Sequence, residues 1–469
     1  MGAKIRWPVR CLVVIGLLIG WLSASAAPAV EPVTLHIPSK EVTLPNGLTV
    51  VVSPKDKLPM AYLSVRFRVG SAYDPEGKAG LADMTARLLD KGTTQRTATA
   101  IAEELDFLGA RLDASAGGTG STVSLSLLAK DIDRGLGLLA DLLQHARFDA
   151  AELERERAQM LSQIQQRQVN PRQVVSETFR ETLYAGHPLH RPTSGYASTV
   201  SQITRDDVVA FYERFYVPNN AILVMVGDFP EERMLELITR AFGEWPTRAL
   251  EQMTLPQPAP TQGKQVRVVD MAVNQSYVQY GYLSVRRADP EFAAVRAMNY
   301  LLGGGGFVSR LTRSIREEQG LAYSVHSEFV GGSQFPGVFY VGLQTKISTT
   351  SQALNSLFAV IDDMKQSPVS SEELTDMRLY YEGSLPRRAE SYGQIAALLI
   401  DREFFGLPDG YWASEIQQIQ QLTAEDIQRL AQRHLDTDDF VLTIVSTREQ
   451  LELTVTAIPA EAIRYVPAP

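Results

Sequence analysis

The chain has 469 residues, 45% of them hydrophobic, with a formal net charge of −9 and one cysteine. This length and apolar content indicate a globular protein of two or three domains. The acidic balance argues against a nucleic-acid partner, and a single cysteine cannot form a disulfide framework.

The N-terminus has the pattern of a secretory signal peptide. Lys4, Arg6 and Arg10 precede an apolar stretch at 11–22, and small residues at 24–26 predict cleavage after Ala26. Twelve apolar residues fall short of the roughly 20 that span a bilayer, so cleavage is favoured over a membrane anchor. Removing residues 1–26 takes away the only cysteine and three basic residues, which leaves a net charge of −12. We expect an exported, periplasmic protein with no integral membrane segment, no cysteine nucleophile and no thiolate metal site.

Strand and helix patterns alternate along the chain. Asn46-Gly47 predicts the turn of a hairpin over 41–53, and Asp289-Pro290 predicts the cap and first residue of a helix. Other strands are predicted at 61–69, 122–128, 221–226, 278–285 and 337–345, and other helices at 78–89, 98–108, 131–144, 151–167 and 204–215.

Two similar segments indicate a duplicated domain. The sequence at 203–208 resembles that at 422–427, and a spacing of 219 residues is far too long for a solenoid repeat. Pro, Gln and Thr are frequent at 246–262, which is the predicted linker between lobes at 41–245 and 263–455. The mixture of strands and helices predicts an α+β fold, with helices packed on a largely antiparallel sheet in each lobe.

The segment at 70–82 and the Lys91-Gly92-Thr93 that follows it resemble the zinc-helix region of the pitrilysin and insulinase family, which includes the mitochondrial processing peptidase. Family members place His-x-x-Glu-His between these two landmarks. Histidines at i and i+4 hold zinc from one helix face, and the glutamate activates the bound water. The resemblance implies two homologous lobes that form half of a clam-shell chamber.

The metal-binding residues of that motif are missing. Asp83, Ala86 and Arg87 stand at the positions of the two histidines and the general base, and Gln163 stands near the position of the third ligand, a glutamate. We therefore expect this chain to bind no metal. Asp83 and Arg87 are spaced i,i+4 and predict a helix-surface ion pair. His187 and His190 flank a proline in a loop, which cannot present both on one helix face.

The second half keeps a different part of the family pattern. Arg316 and Tyr323, seven residues apart, resemble the pair that reaches the catalytic zinc from across the chamber, so both side chains would project toward one cavity. A basic helix face formed by Arg310, Arg313 and Arg316 is the alternative. The preceding glycine run is predicted to contact substrate and comprises Gly303, Gly304, Gly305, Gly306 and Phe307.

The resemblance implies a non-catalytic subunit of a heterodimeric zinc endopeptidase. A homologous partner would bear the zinc, this chain would contribute Arg316 and Tyr323, and a peptide or unfolded protein would be the substrate. A structural scaffold in a larger complex is the alternative from another class. An active enzyme with atypical ligands is the third.

Overall fold

The computed structural model describes residues 35–250 and 255–469, and the predicted signal peptide lies outside these ranges. The described chain contains two six-stranded sheets with helices packed around them. This is the α+β architecture that the sequence predicts. Within the described ranges, no helix is both long and apolar enough to cross a membrane.

The first sheet is built from the first half of the chain. Its strand order is β1-β2-β6-β3-β5-β4, and only the β2–β6 pair is parallel. The strands are β1 (Lys40–Thr43), β2 (Thr49–Pro54), β3 (Met60–Phe67), β4 (Arg111–Ala116), β5 (Ser121–Leu128) and β6 (Ala221–Gly227).

The second sheet repeats this arrangement with one difference. Its order is β12-β7-β11-β8-β10-β9, and both β12–β7 and β7–β11 are parallel. The strands are β7 (Lys264–Asp270), β8 (Ser276–Leu283), β9 (Ala322–Val330), β10 (Val338–Thr345), β11 (Phe440–Ser446) and β12 (Ile463–Pro467). The equivalent edge position is therefore filled by the N-terminal hairpin strand in one lobe and by the last strand in the other.

The helices divide between the lobes in the same way. The first half contains α1 (Leu81–Leu88), α2 (Ala98–Leu108), α3 (Ile132–Gln144), α4 (Ala150–Gln168), α5 (Pro171–Leu183), α6 (Ala197–Val200), α7 (Arg205–Phe215) and α8 (Glu231–Phe242). The second half contains α9 (Phe292–Asn299), α10 (Thr350–Gln366), α11 (Ser371–Ser384), α12 (Tyr392–Phe405), α13 (Tyr411–Gln421) and α14 (Ala424–His434). Two π-helical segments, Tyr300–Gly304 and Thr312–Glu318, follow α9.

The two halves of the chain match most closely in the helix and strand that come late in each repeat. Helices α7 and α14 each begin with a capping box, in which Thr204 pairs with Asp207 and Thr423 pairs with Asp426. Strands β6 and β11 follow at the same 219-residue offset, and all seven residues of each are buried. A continuous apolar strand of this kind is expected where helices cover both faces of a sheet.

Each lobe covers the other's sheet with one helix. Ile395 and Leu399 of α12 pack on the first sheet, while Val174 and Phe179 of α5 pack on the second. Each such apolar side chain contributes about 1.5–3 kcal/mol when fully buried. Arg68 also donates hydrogen bonds to the Glu403 and Phe404 carbonyls at the C-terminal end of α12, where a cation complements the helix dipole.

Several elements, among them β7, β11, α5 and α8, were not among the predicted strands and helices. Two other differences have a local cause. Strand β4 was not predicted, because its exposed and half-buried residues lack an apolar run. Helix α9 begins at Phe292 instead of Pro290. The Asp289 carboxylate accepts a hydrogen bond from the Glu291 N–H, which forms a turn ahead of the helix in place of a cap.

Candidate functional site

Helix α1 carries the positions of the zinc motif, and a buried carboxylate holds its start. Asp74 accepts hydrogen bonds from the backbone N–H groups of Gly80 and Ala82, each at 2.8 Å. Burial raises the pKa of Asp74 to about 7, against the effect of these backbone hydrogen bonds. The helix N-terminus is thus fixed by its own loop, independently of any metal.

Three of the four degenerate positions meet in space. The Arg87 guanidinium donates from Nε to Asp83 Oδ2 at 3.0 Å and from Nη2 to Gln163 Oε1 at 2.9 Å. Ala86 lies beside them on α1 and is buried. The Asp83–Arg87 pair is not the helix-surface pair that the sequence suggested, because Asp83 is 8% exposed and the guanidinium bridges α1 to α4. Burial raises the pKa of Asp83, and Arg87 opposes that rise.

Two further charged residues belong to this cluster. Glu156 of α4 is 7% exposed, with Oε2 4.0 Å from Arg87 Nη1 and Oε1 3.7 Å from Lys91 Nζ. The sequence indicated Lys91 only as a landmark of the family resemblance and gave Glu156 no role. Glu156 precedes Gln163 by seven residues, which places both on one face of α4, and this spacing was the available signal.

The cluster does not fit a zinc ion. Zinc sites use three or four donors from His, Cys, Asp or Glu, and here the central group is a guanidinium that stays positively charged. Among the residues that the structure describes, no group of three or more such side chains could hold a metal. The guanidinium instead occupies the centre of the interaction between α1 and α4.

His187 has a structural role. It is 2% exposed, its Nε2 lies 2.9 Å from the Pro256 carbonyl, and its Nδ1 accepts from the Leu189 N–H at 3.1 Å. Burial lowers the pKa of His187. The neutral ring therefore ties the loop after α5 to the linker between the lobes.

The Arg and Tyr of the second half lie next to each other. Arg316 sits in the second π-helical segment, Gly320 turns the chain with φ +63°, and Tyr323 enters β9. The guanidinium carbon lies 5.5 Å from the centre of the Tyr323 ring and 4.8 Å from that of Phe307. Tyr323 is 80% exposed. Across the described ranges, no hydrogen bond or ion pair joins Arg316 to Asp83, Arg87 or Gln163.

The three arginines of the alternative basic face, Arg310, Arg313 and Arg316, do not share the same surroundings. Arg310 donates to both oxygens of Glu373 and to Asp363, at 2.7, 3.0 and 3.0 Å. Arg316 makes ring contacts alone within the described part of the chain. Arg310 therefore ties helices together, whereas the donors of Arg316 stay available to another molecule.

The glycine run packs closely on its surroundings. A Cβ at Gly303 would lie 2.4 Å from Ser327 Oγ, and one at Gly304 would lie 2.7 Å from the Asn299 amide nitrogen. Gly306 has φ +63° and open space around it. Gly303 is thus required for packing against β9 and Gly304 for packing against the end of α9. A cavity of about 400 Å³ lies beside them, and its wall includes Gly303, Gly304 and Gly306.

Comparisons with known proteins agree with this architecture. Residues 50–196 match the family model described as insulinase (peptidase family M16), and residues 202–379 match that described as peptidase M16 inactive domain. The chain belongs to the M16 family. Among curated relatives, the non-peptidase homolog YmxG of Helicobacter pylori is 25% identical over 86% of this chain and 92% of its own length. An uncharacterized zinc protease of Mycobacterium leprae is 29% identical over 68% of this chain and 72% of its own length.

Solved structures of similar proteins share the fold. An M16 inactive domain from Pseudomonas fluorescens aligns with a TM-score of 0.82 and 27% identity, covering 89% of this chain and 99% of that one. A protease from Helicobacter pylori aligns with a TM-score of 0.81 and 24% identity, covering 88% and 100%. Because the zinc ligands and general base of α1 are replaced, this chain is a non-catalytic M16 homologue.

Proposed function

We propose that this chain is the substrate-binding, non-catalytic subunit of a heterodimeric zinc endopeptidase in the periplasm, and that it supplies Arg316 and Tyr323 to its partner's zinc site. The observation that carries the proposal is the pairing of an arginine that has no carboxylate partner in the described ranges with a tyrosine that is 80% exposed. In the single chain Tyr323 is exposed, while Arg316 is half-buried against its two rings and has no hydrogen-bond partner for its side chain in the described ranges. A second subunit and its substrate would supply their partners.

The two side chains suit the hydrolysis of a peptide bond. A phenol hydroxyl can donate a hydrogen bond to the oxyanion that develops on the scissile carbonyl. A guanidinium can hold a substrate carbonyl or carboxylate through two parallel N–H donors. Neither group needs a metal in this chain, so zinc would reside in the partner's intact motif and would there activate the attacking water.

The name of the relative YmxG as a non-peptidase homolog supports the non-catalytic part of the proposal. The signal-peptide pattern at 1–26 supports export to the periplasm. The expected substrate there is a peptide or an unfolded protein. The chain would contribute a wall for that substrate and complete the partner's site.

The test is to mix this chain with an M16 chain that has an intact His-x-x-Glu-His, ideally one encoded beside it, and to follow the cleavage of fluorescein-labelled casein. Activity well above that of either chain alone is expected. In the mixture, Arg316→Ala and Tyr323→Phe should each lower kcat about 10²–10³-fold, because each removes a donor to the transition state.

Arg313→Ala is the matched control, since Arg313 lies in the same π-helical segment and should leave the rate unchanged. No gain in activity on mixing, together with silent Arg316 and Tyr323 variants, would refute the proposal. If the chain were instead found stably bound within a larger complex without affinity for unfolded casein, the scaffold alternative would replace it.

A further inference from the structure

Arg316 lies between two exposed aromatic rings. Its guanidinium carbon is 4.8 Å from the centre of the Phe307 ring and 5.5 Å from that of Tyr323. Phe307 is 64% exposed and stands on a short turn, Gly306–Val308, which precedes the arginine's own π-helical segment. A single exposed phenylalanine is common on protein surfaces, but two rings that contact the same guanidinium can fix its orientation.

This arrangement orders the guanidinium while leaving its hydrogen-bond donors free. Ring faces attract the cation through their quadrupoles, and they consume none of its five N–H groups. Arg134 provides a contrast within the same chain. It lies 4.8 Å from the ring of Phe107, which is 77% exposed, but its Nε also donates to Glu104 at 2.8 Å. Arg134 is therefore held by a carboxylate, whereas Arg316 is held by rings.

The position of Phe307 is fixed by the glycine run before it. Gly303 and Gly304 approach Ser327 and Asn299 so closely that a Cβ would clash, and Asn299 donates to the Ser327 carbonyl of β9 at 3.0 Å. The turn that carries Phe307 is thus attached to the strand that also carries Tyr323. The two rings therefore stand on neighbouring segments that are held together through Asn299 and Ser327.

We propose that Phe307 is a positioning residue, which orients the Arg316 guanidinium so that its donors are presented to the substrate carbonyl or carboxylate. The inference rests on the proposed function for its reaction, while the ordering of Arg316 is a property of the single chain. Tyr323 has two roles in this arrangement, since its ring holds the guanidinium and its hydroxyl donates to the oxyanion.

The first experiment uses the single full chain and does not require a partner. NMR relaxation of the arginine Nε–Hε groups reports their order on the picosecond-to-nanosecond scale, and Arg316→Lys assigns the signal. Phe307→Leu should lower the Arg316 order parameter from a well-ordered value to below about 0.6, and Phe307→Tyr should restore it. Phe107→Leu is the matched control and should leave Arg134 ordered through Glu104.

The second experiment repeats the measurement of casein cleavage with the partner. Phe307→Leu should lower kcat/KM about 5–20-fold, chiefly through kcat, and Phe307→Tyr should restore it. An unchanged order parameter in Phe307→Leu overturns the positioning role. A fall in order with unchanged kcat/KM overturns its relevance to the reaction. Absence of activity in the wild-type mixture refutes the proposed function, and the NMR result then still decides whether Phe307 orders Arg316.

Discussion

Removing the guanidinium of Arg87 should weaken the contact between α1 and α4 and so lower the free energy of unfolding. Arg87→Ala deletes the hydrogen bonds to Asp83 at 3.0 Å and to Gln163 at 2.9 Å. A hydrogen bond to a charged group contributes about 1.5–3 kcal/mol, and the loss is larger when the charge left behind is buried. Asp83 is 8% exposed, but the Arg87 side chain is 25% exposed, so solvent recovers part of the loss. We expect a loss of about 2–3 kcal/mol, several times that of an exposed i,i+4 pair.

The assay is a double-mutant cycle measured by urea unfolding. Asp83→Ala, Arg87→Ala and the double variant should reveal a coupling of about 1–2 kcal/mol. Arg155→Ala is the control, because Arg155 pairs with Glu152 on the exposed side of α4 and should cost less than about 0.5 kcal/mol. If the Asp83 and Arg87 effects add to within about 0.5 kcal/mol, or if Arg87→Ala behaves like Arg155→Ala, the guanidinium does not hold the two helices together.

Two further predictions concern the second lobe. Burial alone would raise the pKa of Glu373, but hydrogen bonds from Arg310 and the Ser370 N–H lower this pKa to about 2. The ionised Glu373 therefore stabilises the fold above its unfolded pKa, and this stabilisation is lost as the pH falls through about 2. Glu373→Gln should therefore cost about 1–2 kcal/mol at pH 7 and only a small fraction of that near pH 2. The measurement is urea unfolding across that range, and a constant difference between the two proteins would contradict the prediction. Gly303→Ala should destabilise the chain by about 1–3 kcal/mol because its Cβ would clash with Ser327, whereas Gly137→Ala, in open space on α3, should stabilise it by about 0.5–1 kcal/mol. Thermal unfolding that shifts in the same direction for both glycine variants would refute that reasoning.

Features with a strong local cause were predictable from the sequence. The Asn46-Gly47 turn, the capping boxes of α7 and α14 and the boundaries of α2 each follow from a few neighbouring residues. The duplicated lobes followed from the repeat of one such local signal. The α+β fold was therefore predictable before any tertiary contact was known.

Tertiary relations were not predictable in the same way. The spacing of Asp83 and Arg87 predicted their pairing, but the bridge to Gln163 and the nearby Glu156 depend on how α4 packs on α1. The stacking of Phe307 on Arg316 likewise joins two segments through π-helical geometry, which no simple periodicity signals. Strand β4 was missed because its residues are only partly covered, so its apolar pattern is weak.

The helices α5 and α12, which each cover the sheet of the opposite lobe, also explain why the fold does not depend on the zinc motif. The arrangement is that of a domain-swapped homodimer whose two subunits are joined by a linker. A substitution in one lobe's catalytic motif leaves both exchanged helices in place, because their apolar contacts lie on the sheets and not on α1. Substitution of the metal ligands in the first lobe is therefore compatible with the same fold, in which the second lobe carries an exposed Tyr323 beside a half-buried Arg316.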